Sequence, residues 1–98
     1  MRMTRRIARI GDPVGLHLRA ASRIVRAAKS FECEIDIAYA GVVANAKSIL
    51  GLASLVAPHL APVEILAKGP DAEQAVAHLF HLIEVELATD EAGGSARP

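Results

Sequence analysis

His17 is the side chain in this sequence best placed for chemistry, because Gly15-Leu16-His17-Leu18-Arg19 sets an imidazole after a flexible glycine and just before a helical run. From about Leu18 to Lys29 the apolar residues Ala21, Ile24, Val25 and Ala28 recur at spacings of three and four, the period of a helix with one buried stripe. His17 therefore falls at the N-terminus of that helix. Unpaired N–H groups and the positive end of the helix dipole make such a position hospitable to an anion such as phosphate. A phosphoryl group carried on an imidazole nitrogen would be stabilised there, provided the ring is neutral and nucleophilic when it accepts. Arg19 would bring a cation to the phosphoryl oxygens. Arg19, Arg23 and Arg26, at i, i+4 and i+7, share one side of the helix.

The other reactive residue types do not assemble. His78 and His81 lie three apart on a helical stretch, but no third ligand of suitable type is placed near them, so they read as surface residues and no metal is expected. His59, in a loop between Pro58 and Pro62, has no evident partner. Cys33, the single cysteine, can form neither an internal disulfide nor a structural zinc site and reads as a small core or edge residue. Ser48 stands where a helix N-cap belongs, ahead of Ile49-Leu50-Gly51-Leu52, a helix kept short by Gly51.

The elements that must position these residues follow from periodicity. Arg5 to Ile10 reads as a short strand, with Ile7 among basic neighbours, ended by Gly11-Asp12-Pro13. Cys33, Ile35, Ile37 and Tyr39 alternate with Glu32, Glu34, Asp36 and Ala38, and the reversal Ala40-Gly41 leads into a second strand at Val42-Val43-Ala44. Val63, Ile65 and Ala67 form a fourth strand. Asp71, with Gln74 three residues on, resembles a capping box for a long helix whose stripe is Ala72, Ala75, Val76, Leu79, Phe80, Ile83 and Leu87. The order is β-α-β-β-α-β-α, an α+β open-faced sandwich in one domain, residues 1–88, with a flexible C-terminal tail at 89–98.

Composition narrows the function. Ninety-eight residues make one small domain; 52% are hydrophobic and 22% charged, which suits a compact soluble chain. With two Phe, one Tyr and no Trp, base-stacking platforms are missing and nucleic acid is not an expected partner. The basic start, Met1-Arg2-Met3-Thr4-Arg5-Arg6, meets Arg9, Gly11, Asp12 and Pro13 instead of an apolar run, so neither export nor membrane insertion is expected, and the cytoplasm fits. Eight of the eleven Lys and Arg residues lie in residues 1–29 with one acid, Asp12, whereas the remainder carries three bases and ten acids. Such segregation suits a face that meets an acidic partner or an anion.

The run from Gly15 to Ser22 resembles the phosphorylation signature of the HPr family, phosphocarriers of the bacterial phosphotransferase system, and the resemblance extends over residues 4–88. It implies a four-stranded antiparallel sheet covered by three helices. It also implies that His17 takes a phosphoryl group from enzyme I and gives it to an enzyme IIA-type acceptor, with Arg19 stabilising the phosphorylated state and no cofactor. Lys47-Ser48-Ile49-Leu50-Gly51-Leu52 is similar to the family's second signature, which makes Ser48 the regulatory target of an HPr kinase/phosphorylase. A phosphate there would add about two negative charges beside a docking surface. That surface is expected to include Leu18, Arg23, Ile49, Leu50 and Leu52, although about half of such apolar residues are expected in the core. The protein is expected to act as a monomer and not as an enzyme.

Leu18, where many sugar-transport members have a small residue, adds bulk beside the ring. Ala20, where they have Pro, together with Ser48 to Leu52 and the run from Val63 to Asp71, is similar to the nitrogen-related branch, often called NPr. Two rivals remain at this point: a regulatory module of the same fold that binds partners without relaying, and a ferredoxin-like sensor domain. The second predicts two comparable long helices, where this sequence has a short second helix and a third helix after it.

Overall fold

A computed structural model describes residues 3–89. The strands are β1 (Met3–Arg9), β2 (Glu34–Tyr39), β3 (Val42–Asn45) and β4 (Pro62–Lys68), and buried residues alternate with less buried ones along β2 and β4. Residues at helical spacing give α1 (Leu18–Ala28), α2 (Ile49–Ala53) and α3 (Ala72–His81), the last continued by a π-helical turn, Leu82–Glu86. The strands form one fully antiparallel sheet in the order β1-β4-β2-β3, with Ile7 opposite Glu64, Ile37 opposite Ile65 and Tyr39 opposite Val42. Ala40 (φ 52°) and Gly41 (φ 84°) form the two-residue reversal of the β2–β3 hairpin, both left-handed as such a turn requires.

One face of the sheet is covered. Ala8, Ile35, Ile37, Ala44, Val63, Ile65 and Ala67 point to a core completed by Ala20, Ala21, Ile24, Val25 and Ala28 of α1 and by Ala75, Val76, Leu79, Ile83 and Leu87. On β1 the inward side belongs to Ala8, with Ile10 just beyond the strand, and Ile7 faces outward. The predicted stripe of α3 thus holds, with Phe80 half-buried at its edge under the Arg6 guanidinium, 3.5 Å from the ring centre. The π-helical turn has a local partner: the Ile83 carbonyl accepts from Gly11 N–H at 2.9 Å, and Glu84 accepts from Arg9 N–H at 2.8 Å. Thr89, which the sequence places in the tail, belongs to the helix end, its Oγ1 donating to the Glu86 carbonyl. The rest of the expected tail lies outside the described residues.

Asp71 corrects one reading. It is the N-cap of α3 but makes no capping hydrogen bond with its side chain. Its carboxylate instead accepts from Glu32 N–H (2.9 Å) and Cys33 N–H (3.0 Å), because the α1–β2 connection passes within reach and offers two amides. The Glu32 amide, with smaller help from Cys33, holds the Asp71 carboxyl below its ordinary value. That tie is therefore present above the ordinary carboxylate range and weakens as pH falls through the lowered value. Lys47 closes the same corner from the other side, its Nζ donating to the carbonyls of Phe31 (2.8 Å) and Cys33 (3.0 Å).

Gly15 shapes the loop that leads into α1. Its φ is 92°, and a Cβ there would lie 2.8 Å from the Ala57 carbonyl oxygen and 3.2 Å from Pro58 Cα. The same Ala57 oxygen accepts from Leu16 N–H at 2.8 Å, so the loop can close on the α2–β4 connection only without a side chain at position 15.

Two measurements test this frame. Gly15→Ala is expected to destabilise the fold by about 1–3 kcal/mol in denaturant melts, since it adds both a strained backbone and a clash. Burial, and then the Asp71 carboxylate, push the Cys33 thiol up to about 11. Iodoacetamide at about pH 8 should therefore alkylate Cys33 slowly in the folded protein and quickly in denaturant.

Candidate functional site

His17 is the N-cap residue of α1, with extended backbone (φ −104°, ψ −174°) and its ring folded back over the first turn. Ring Nδ1 accepts from Arg19 N–H at 3.3 Å, so the imidazole satisfies one of the helix's free amides. On the other side of the ring, Nε2 lies 3.2 Å from Oδ2 of Asp12. A main-chain N–H can only donate and a carboxylate can only accept. Both contacts therefore assign the neutral ring its proton on Nε2 and its lone pair on Nδ1, the nitrogen at the helix N-terminus.

Asp12 is the buried charged residue among those described, 1% exposed. Its carboxylate also accepts from Val14 N–H (2.8 Å) through Oδ1. Its main-chain oxygen accepts from Gly15 N–H (2.9 Å) and from the ring of His59, whose Nδ1 is 3.1 Å away. His59, which had no partner in the sequence reading, is thus an outer support of the loop that carries Asp12. The Asp12–His17 contact was missed because Gly11-Asp12-Pro13 reads as a turn. The signal available was a carboxylate five residues before the histidine.

An apolar groove of about 420 Å³ runs beside the ring, lined by Val14, Leu16, Leu18, Ala53, Val56 and Pro58. Leu18 (59% exposed) and Leu50 (78%) stand out into solvent and Ile49 is also exposed, which leaves them open to a docking protein. Leu52 does not join them: it is fully buried, because it lies on the face of α2 that packs into the core. The sequence reading is corrected there, and it passed over Val14 and Val56, both exposed beside the groove. Val56 holds φ 53°, an unfavourable value for a β-branched residue, at the edge of the site.

Arg19 and Arg26 are exposed on α1, and Arg23 is half-buried with its guanidinium 3.3 Å from Glu86. Ser48 caps α2 as expected, its Oγ accepting from Gly51 N–H at 3.1 Å. His78 packs its ring against Phe31, and His81 contacts Glu86 at 3.1 Å. Among the described residues no three His, Cys, Asp or Glu side chains come together as a metal site, and no helix is long and apolar enough to cross a membrane.

Comparison with known proteins identifies the family of the chain. The family model for the "PTS HPr component phosphorylation site" matches residues 4–85. Phosphocarrier protein HPr of Vibrio cholerae is 40% identical over 70 residues, 71% of this chain and 82% of that protein. The crystal structure of HPr from Bacillus anthracis superposes with a TM-score of 0.81 at 31% identity, covering 85% of this chain and 99% of that one. Bacillus subtilis Crh, a dimer with swapped domains, gives 0.68 at 32% identity, covering 74% and 83%. The chain accordingly belongs to the HPr family of the phosphotransferase system, phosphocarriers that bear a phosphoryl group and are not themselves catalysts.

Proposed function

We propose that His17 accepts a phosphoryl group at Nδ1 from the phosphorylated histidine of enzyme I and passes it to an enzyme IIA-type acceptor. The observation that carries this reading is the Nδ1 lone pair, aimed at the N-terminus of α1 by the Arg19 amide while Nε2 faces Asp12. A phosphoryl group on Nδ1 meets the positive end of the helix dipole, and the Arg19 side chain adds its cation. Leu18, Ile49, Leu50 and Arg23, joined by Val14 and Val56, form the surface on which both partners dock in turn. The basic side of α1 steers acidic partners to it. Ser48, at the start of α2 beside Ile49 and Leu50, is the regulatory target of an HPr kinase/phosphorylase, where a phosphate changes the charge of the docking surface without unfolding the helix it caps. The carrier acts as a cytoplasmic monomer, in sugar transport or its regulation.

The competing reading is a binding module that does not relay, favoured by the bulk of Leu18 beside the ring. Incubation with phosphoenolpyruvate and a matched enzyme I decides between them. The carrier reading expects one acid-labile phosphoryl group by mass spectrometry, absent in His17→Ala. An unlabelled native protein, with the enzyme I shown to be active on another carrier, would leave the binding module standing.

A further inference from the structure

We infer that Asp12 is a positioning residue for His17, a buried carboxylate that keeps the ring proton on Nε2 and so keeps Nδ1 unprotonated, with a lone pair that can form the phosphorus bond. The consequence for rate rests on the phosphocarrier reading; the tautomer assignment does not.

The geometry makes Asp12 unlike a surface acid. Its side chain is 2% exposed, and a carboxylate removed from water is costly unless its oxygens find donors. Oδ1 takes the Val14 amide at 2.8 Å, a bond internal to the turn. Oδ2 is directed to His17 Nε2 at 3.2 Å, and the ring is itself partly covered, with 28% of its side chain exposed. On the other sides of the pair, the Arg19 amide of α1 faces Nδ1, and His59 from the α2–β4 connection is turned to the Asp12 main-chain oxygen and not to its carboxylate. Oδ2 is thus committed to the histidine.

The transfer step places a further demand on that carboxylate. The Nδ1 lone pair gives up its hydrogen bond from the Arg19 amide and forms a bond to phosphorus as the bond from phosphorus to the donor imidazole breaks, its electron pair returning to the donor ring; the released amide is left to face the phosphoryl oxygens. His17 then carries phosphoryl on Nδ1 and a proton on Nε2, so its ring is cationic. The Asp12 charge opposes that developing positive charge at hydrogen-bond distance. Onward transfer reverses the same step, and the Nε2 proton never has to leave.

Asp12→Asn separates positioning from shape. The amide has one oxygen for two donors. With that oxygen on Val14 N–H, the NH2 group faces Nε2 and fits only if the ring proton moves to Nδ1, where the Arg19 amide opposes it. Nitrogen-15 correlation spectra of the ring at about pH 9, above the ordinary imidazole range, should show Nε2–H in the native protein and a mixed or Nδ1–H ring in Asp12→Asn. With enzyme I as donor, kcat for phosphorylation should fall on the order of tenfold or more, with KM for enzyme I unchanged because the docking residues are untouched. Should the variant fail to give a dispersed amide spectrum, the native ring still decides: a hydrogen-bonded Nε2 proton should be visible there and lost in Asp12→Ala. An Nδ1–H ring in the native protein, or an Asp12→Asn protein with native tautomer and native kcat, overturns the assignment. A native protein with the expected tautomer that enzyme I does not phosphorylate overturns the relay and leaves Asp12 as the group that orients the ring.

Discussion

The His17 ring is gripped from two sides by groups of opposite character, a main-chain amide at Nδ1 and a carboxylate at Nε2. Neither contact alone would fix it. The amide contact is long and belongs to a helix end that water can also satisfy, while a carboxylate alone would leave the ring free to swing about its own hydrogen bond. Together they determine both where the ring points and which nitrogen holds the lone pair. The rest of the site is arranged so that these two groups stay where they are.

The amide is held by α1, and α1 by its stripe: Ala20, Ala21, Ile24, Val25 and Ala28 are all buried in the core, with α1 packed beside α2 and α3, so the first turn has little freedom to slide. The carboxylate is held by a loop, which by itself would be the weaker half. That loop is anchored at each step, with Gly11 N–H on the Ile83 carbonyl, Ile10 N–H on the Ala61 carbonyl and Leu16 N–H on the Ala57 carbonyl. The π-helical turn after α3 and the strained α2–β4 connection are thus parts of one cradle. Their irregularity has a use, since regular helix would keep the Ile83 carbonyl for its own ladder and leave Gly11 unpaired.

How much of this could be read from the sequence depended on the range of each interaction. The helix-start positions of His17 and Ser48 were legible because helix periodicity and capping are local, and the same periodicities gave the strand and helix order that the fold shows. Leu52 was misassigned because a five-residue helix shows too little of a period to tell its buried face from its exposed one. Asp71 was read as a local cap when its amide partners come from Glu32 and Cys33, 39 and 38 residues away. Asp12 escaped notice for a different reason: it is near His17 in sequence, but only the closure of its loop buries it, and burial is what turns a turn-forming aspartate into a group that acts on a ring.

The exposed apolar residues make sense in the same terms. A carrier must hand its group to more than one protein, so the reactive nitrogen has to sit at a surface, and a surface site cannot use an enclosing pocket to exclude water. The groove beside His17 is open, and Val14, Leu18 and Val56 leave apolar area around it uncovered in the free protein. Docking would cover that area and dry the ring at the moment of transfer, when the Asp12 charge acts most strongly because less water screens it. On the proposed carrier reading, permanent burial is given to the carboxylate, and temporary burial is left to the partner. The anchored side of the site is therefore the one facing the core, and on that reading the side facing solvent would be completed only in the complex.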